Sequence, residues 1–197
     1  MAIKGLSKLV LAPYSATGNT VTYGSPVVQE KMASYSYTVE RSSSDGLYLD
    51  NYEAEKDGGE FGSGTLTLGT GDLSNATSKA ILDVKENSVT VGTSTVTELV
   101  FDDDTKGKEL GAGIIELHQV DNQDFYRAVW FYRVQFDIPA GSANTKGASI
   151  DWQTPEITAS IMRSDAYDAS TGKHPWKSTA DFTSEDNALA YLQSKAS

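Results

Sequence analysis

Phe125-Tyr126-Arg127-Ala128-Val129-Trp130-Phe131-Tyr132-Arg133-Val134-Gln135-Phe136-Asp137-Ile138 runs without a glycine, a proline or a turn signal. Its even positions, Tyr126, Ala128, Trp130, Tyr132, Val134, Phe136 and Ile138, are all apolar or aromatic. Its odd positions mix Arg127, Arg133, Gln135 and Asp137 with Phe125, Val129 and Phe131. Side chains alternate across a strand, and aromatic and β-branched residues favour a pleated surface. The stretch therefore predicts one long strand with an apolar face on a core and a second face partly covered by a neighbour.

Working outward, Ala33–Glu40 alternates Tyr35, Tyr37 and Val39 with Ser34, Ser36 and Thr38, and Gly64–Gly69 sets Leu66 and Leu68 against Thr65 and Thr67. Leu6–Ala12, Thr95–Phe101, Ile114–Val120 and Ala148–Met162 are further predicted strands. In the last, Ile150 and Trp152 have even parity, whereas Ile157, Ala159 and Ile161 have odd parity. Pro155 lies between them and lacks an N–H, which predicts a bulge or an edge bend. Leu73, Ala76, Ala80, Ile81 and Val84 give Asp72–Val84 a helical period, with Asp72 or Ser74 as cap. Thr183-Ser184-Glu185-Asp186 reads as a capping box before Ala188, Leu189, Tyr191 and Leu192. Segments 41–64, 102–107 and 164–177 read as loop. The predicted fold is mainly β: a two-sheet sandwich or barrel, one flanking helix and a short C-terminal helix. Residues 1–163 are expected to form the β-sandwich domain and 164–197 a C-terminal extension.

The chain has 197 residues, 16 Lys and Arg against 27 Asp and Glu, a net charge of −11 and a pI near 4.5. Tight nucleic-acid binding requires Lys and Arg to neutralise phosphates, and an anionic membrane surface attracts basic segments, so neither is an expected ligand. The chain has no cysteine, which excludes disulfides, thiol nucleophiles and Cys-ligated zinc. No apolar run reaches the roughly 18 residues of a membrane span. The short apolar run after Lys8 is interrupted by Pro13-Tyr14 and reads as a first strand, not a leader.

Motifs for chemistry fail one by one. A calcium loop starting at Asp102 puts Lys106 at its fifth position and Gly113 at its twelfth, where ligands are required. Gly58, Gly59, Gly62 and Gly64 fit neither phosphate-loop pattern. Asn75-Ala76-Thr77 is a glycosylation triplet inside the helix candidate and is discounted. Carboxylates are many, yet no pair is singled out for glycoside hydrolysis. His118 and His174 lack a nucleophile-elbow sequence and read as packing or surface residues. Trp130 and Trp152 read as core or interface aromatics. No site rises above background for catalysis.

Three stretches taken together carry a resemblance. They are Gly5-Leu6-Ser7-Lys8-Leu9-Val10-Leu11-Ala12-Pro13-Tyr14 with Leu47-Tyr48-Leu49-Asp50-Asn51; Ser63-Gly64-Thr65-Leu66-Thr67-Leu68-Gly69 with Asp72-Leu73-Ser74; and the Tyr126–Phe136 strand followed by Thr145–Ile157, which contains Trp152-Gln153-Thr154-Pro155-Glu156-Ile157. Their content and order, over residues 5–163, resemble the major tail proteins, or tail tube subunits, of bacteriophages with long non-contractile tails. Ala159 departs from the glycine expected there.

The resemblance implies hexameric rings stacked into a virion tail tube and assembled in the bacterial host cytoplasm. It also implies a non-enzymatic protein without metal or cofactor. It implies tape-measure protein and tail terminator or tip proteins as partners, and double-stranded DNA as transient cargo rather than a tight ligand. An acidic lumen repels DNA over a Debye length of about 8 Å. The resemblance makes Tyr126, Trp130, Phe136, Trp152, Gln153, Thr154 and Pro155 motif and possible interface residues. Asp45, Tyr48, Asp50 and Asn51 mark a candidate inter-ring loop. The alternatives are a carbohydrate-binding β-sandwich using Trp176 or Tyr167, a glycan-cleaving enzyme, and the tube subunit of a secretion system or tailocin.

Overall fold

The computed structural model describes residues 2–42, 46–49, 52–56, 58–71, 74–141 and 154–196, with the backbone alone at 46–49 and 52–56. In chain order the elements are β1 (Ala2–Thr17), β2 (Thr20–Tyr23), β3 (Val27–Gln29), β4 (Met32–Arg41), β5 (Gly46–Leu49), β6 (Tyr52–Lys56) and β7 (Phe61–Thr70). Then follow α1 (Asn75–Ile81), β8 (Lys85–Val91), β9 (Ser94–Val100), β10 (Glu109–Val120), β11 (Gln123–Phe136), β12 (Glu156–Met162), β13 (Lys177–Phe182) and α2 (Glu185–Lys195). The fold is mainly β, as expected, and β-sandwich-like. No helix among the described residues is long and apolar enough to cross a membrane.

The large antiparallel sheet runs β2-β1-β10-β11-β12-β7-β4, with β3 also on β1 and β13 also on β11. The aromatic stretch read first is β11, and it is the centre of the sheet. One edge pairs with β10 along nearly its whole length. The other edge is shared: β13 takes 126–131 and β12 takes 133–136. At the changeover the Tyr132 N–H donates to the Trp176 carbonyl at 3.1 Å, so the backbone stays satisfied.

The regular alternation predicted for β11 does not hold. Leu110 faces Val134 but Ala112 faces Phe131, so Gly111 alone opposes Tyr132 and Arg133. This β-bulge reverses the parity of everything after it. Before it, Ala128 and Trp130 join Val10, Ala12 and Ile115 beneath Ala188 and Leu192 of α2. After it, Val134 and Phe136 point the other way, with Val129 and Phe131, into a larger core. That core also takes Leu9 and Leu11 of β1, Leu66 and Leu68 of β7, and Ile157, Ala159 and Ile161 of β12. Side chains from strands distant along the path meet because the sheet curls on itself, and β1 and β4 approach one another without pairing.

Trp130 explains why β10 starts five residues before the predicted Ile114. The indole lies over Gly111 and Gly113, where any Cβ would collide with the ring. Two glycines weaken a strand signal in sequence, yet here they make room for the largest buried side chain.

The helices are shorter or differently capped than expected. Ser74, not Asp72, caps α1: its hydroxyl accepts the Thr77 N–H at 3.2 Å. The Thr77 hydroxyl also donates to Gln29, tying α1 to the end of β3. The helix stops at Ile81 because Leu82 turns extended. For α2 the cap is Ser184, accepting from the Asn187 N–H at 3.3 Å, not Thr183. The segment expected as an extension supplies β13 to the large sheet and α2 to the second core. Segment 41–64, read as loop, contains the β5–β6 hairpin. Strands β2, β3, β8 and β13 were not predicted. Strand β12 begins just after Pro155, whose carbonyl accepts the Thr70 N–H at 3.1 Å; residues 148–153 lie outside the described residues.

Candidate assembly surface

The predicted interface residues separate into distinct environments. Of the motif and possible interface residues, Trp130 and Phe136 are fully buried, one in each core: α2 covers the first and the curled sheet covers the second. Tyr126 is half-buried beside α2. Thr154 and Pro155 are exposed at the start of β12. Tyr48 lies on β5, its backbone opposite Glu53. Trp152, Gln153, Asp45, Asp50 and Asn51 lie outside the described residues.

The surface that sequence reasoning missed is the β8–β9 hairpin. It forms its own two-stranded sheet and contributes nothing to either core. Its seven residue pairs run from Lys85 opposite Val100 to Val91 opposite Ser94. The turn is Gly92-Thr93, with Gly92 at φ 63°, the backbone that a two-residue hairpin loop demands of its first residue. Val89 and Val96 are directly opposed and so share a face with Val91; they are 36%, 47% and 65% exposed. Phe101 at the hairpin's base is also exposed. The available signal was Val89-Thr90-Val91-Gly92-Thr93-Ser94, β-branched alternation interrupted by a glycine turn.

The hairpin base is held by charge. Lys85 Nζ lies 2.6 Å from Asp102 Oδ2, and the Thr105 hydroxyl donates to Asp102 Oδ1 at 3.0 Å. The Lys85 ammonium lowers the Asp102 carboxyl to about 2. The acidic turn expected to remain merely hydrated therefore has a cationic partner.

A second unfinished feature is a strand edge. Among the described strands β4 pairs with β7 alone, leaving its other edge without a ladder partner. The first part of β1 pairs only with β10, since β3 meets it at 9–11 and β2 at 14–17. Such edges are templates for another strand.

The ionisable groups are arranged for structure. Glu116 and His118 project into the curled sheet, with His118 Nε2 2.6 Å from Glu116 Oε2. The Tyr35 hydroxyl donates to the other Glu116 oxygen. Both Glu116 oxygens are thus occupied and the pair is almost wholly buried. His118 also stacks on Phe125, its partner across the ladder. It is a packing histidine, as expected.

Arg127 binds Asp181, its cross-strand neighbour, through two nitrogens, and this guanidinium lowers the Asp181 carboxyl. Arg133 spans Glu109 and Asp165 and sits 5.2 Å over the Tyr14 ring. The Asp165 N–H donates to the Tyr14 hydroxyl at 2.8 Å, and that hydroxyl donates to the Asp165 carboxylate at 3.0 Å. These contacts fasten the segment between β12 and β13 to the sheet. No group of three or more His, Asp or Glu among the described residues is placed to hold a metal.

The site therefore defines a β-sandwich-like protein with unfinished surfaces. In sequence comparison the chain matches no known protein-family profile and no curated protein.

Proposed function

We propose that this protein is a structural tube subunit that binds copies of itself in rings, with the rings stacking into the tail tube of a long, non-contractile bacteriophage tail. One observation carries the reading. Both hydrophobic cores are closed within the single chain, yet the β8–β9 hairpin holds Val89, Val91 and Val96 in solvent. An isolated hairpin is marginal in water, and its apolar face gains most when a neighbour covers it. The unpaired β4 edge supports the same reading, because joining strands between subunits removes edges by closure.

In this reading the ring is a hexamer and its contacts are heterologous, one patch of each subunit meeting a different patch of the next. The β5–β6 hairpin is the arm between rings. Tape-measure and terminator or tip proteins are partners, DNA is cargo, and the acidic surface keeps DNA from adhering. A tailocin or secretion-system tube uses the same subunit logic and differs only in what passes through it.

Negative-stain microscopy and sedimentation of the purified full chain test this. Rings or tubes with a central hole are expected at high concentration. Persistently monomeric particles across concentration and salt, with or without added rings as seeds, overturn it. A carbohydrate-binding module is the second reading, favoured by the half-exposed Tyr167. A glycan array with no hit removes it.

A further inference from the structure

A cleft of about 350 Å³ opens between the end of β4, the start of β7 and the segment linking β12 to β13. One wall is aromatic: Phe61 and Trp176 stack with centroids 4.8 Å apart and planes 8° from parallel. Among the described residues, Arg41, Arg163 and Lys173 line the cleft against one carboxylate residue, Glu60. In a chain of net charge −11 this is a local reversal of sign.

The cations there have no carboxylate partner among the described residues, a state they share with Lys31, Lys106, Lys177 and Lys195 elsewhere on the chain. Lys4, Lys8, Lys79, Lys85, Lys108, Arg127 and Arg133 each have a carboxylate within 4.0 Å. Among the described residues Arg163 and Lys173 have none, and Arg41 spends one nitrogen on the Gly58 carbonyl at 3.2 Å. His174, also lining the cleft, keeps its Nδ1 buried without a hydrogen-bond partner among the described residues. A pocket of this size with a few convergent polar groups and an apolar wall has the features of a small-molecule site. Guanidinium forks match oxyanion geometry, and among the described lining residues two arginines with a lysine exceed the single acid by two charges.

We propose that the cleft binds a phosphate monoester carrying a flat or apolar body. Arg41, Arg163 and Lys173 take the phosphate oxygens, and Trp176 with Phe61 meets the body. A bare phosphate leaves most of the cavity empty, so the body carries part of the affinity. The site's described lining residues all come from one chain.

The test is titration of the full chain at constant ionic strength with two probes, inorganic phosphate and adenosine monophosphate, followed by calorimetry. Saturable 1:1 binding of adenosine monophosphate, tighter than phosphate, is expected. The double variant Arg163→Gln/Lys173→Gln should weaken both probes by about tenfold or more, because charge-assisted hydrogen bonds are lost. Trp176→Leu should weaken adenosine monophosphate while leaving phosphate unchanged. Arg163 and Lys173 are exposed, so the double variant is expected to keep the wild-type circular dichroism and melting temperature. Absence of saturable binding, or binding unchanged in the folded double variant, overturns the proposal. Equal affinity for the two probes overturns the role of the aromatic wall.

Discussion

The β10–β11 and β8–β9 ladders are built from the same parts. Each is an antiparallel pair closed by a two-residue turn, Asp121-Asn122 in one and Gly92-Thr93 in the other, with positive φ where the turn requires it. Their surroundings differ completely. The first is buried on both faces, its alternating side chains divided between two cores. The second has one apolar face that no described residue of the chain covers. Hydrogen bonding is equivalent in the two, so burial alone makes one a structural centre and leaves the other as surface available for a partner.

The strongest way to break this comparison is Trp130→Ala. Removing the largest buried side chain should cost about 3–5 kcal/mol in thermal or denaturant unfolding. Val89→Thr with Val96→Thr should cost about 0.5 kcal/mol or less in the isolated subunit, and should abolish self-association measured by sedimentation. If the hairpin pair destabilises the monomer as much as Trp130→Ala does, the two ladders are not different in kind.

Gly111→Ala comes next. The added methyl meets Trp130 and Tyr23, and overpacking of this kind costs about 1–3 kcal/mol. The hairpin counterpart, Gly92→Ala, meets open space but a strained φ, and should cost about 1 kcal/mol, read as faster amide exchange confined to β8 and β9.

Tyr23→Phe is smaller. It removes the hydrogen bond from the Tyr23 hydroxyl to the Tyr132 carbonyl at the bulge, at 2.8 Å, for about 1 kcal/mol. Burial raises the Tyr23 hydroxyl above its ordinary value of 10.0. The unfolded chain therefore loses this proton first as pH rises, and stability falls progressively above about pH 10. Tyr23→Phe should flatten that alkaline slope.

The smallest effect is at the hairpin base. Asp102 is lowered from 3.8 to about 2 by Lys85, so its stabilising contribution is present above pH 3.8 and is lost as pH falls toward 2. Side-chain carboxyl NMR should show the depressed titration, and Lys85→Ala should return it toward 3.8. Lys85 is exposed and Asp102 only partly covered, so global stability should hardly move.

Much of the fold was legible because it depends on local pattern. Val10 and Leu11, Tyr35 and Tyr37, and Leu66 and Leu68 lie on strands close to their predicted bounds. The Ser74 and Ser184 caps lay within the predicted helix starts. What escaped was non-local. The Tyr132–Arg133 bulge has no sequence signal, because every residue around it suits a strand. Gly111 and Gly113 look like strand breakers until Trp130 is laid over them. Strand β13 is short and half-polar, and only the free edge of β11 makes it a strand. For the site, the aromatic motif attracted attention by its composition, yet Trp130 and Phe136 are core. The exposed valines of β8–β9 and the cations of the cleft are unremarkable in sequence. Arg41, Arg163 and Lys173 converge only when the chain folds.

The sequence by itself determined the class: mainly β, acidic, free of cysteine and of a catalytic motif, with a helix in the middle and another at the end. Period, composition and capping are properties of neighbouring residues, so they can be read along the chain. The tertiary structure decided which face of each strand is inside. A single bulge inverts that assignment for the last residues of β11, Val134 to Phe136, because its position depends on contacts between residues far apart in sequence. The same long-range packing decided which apolar side chains were left outside, those of Val89, Val91 and Val96 among them.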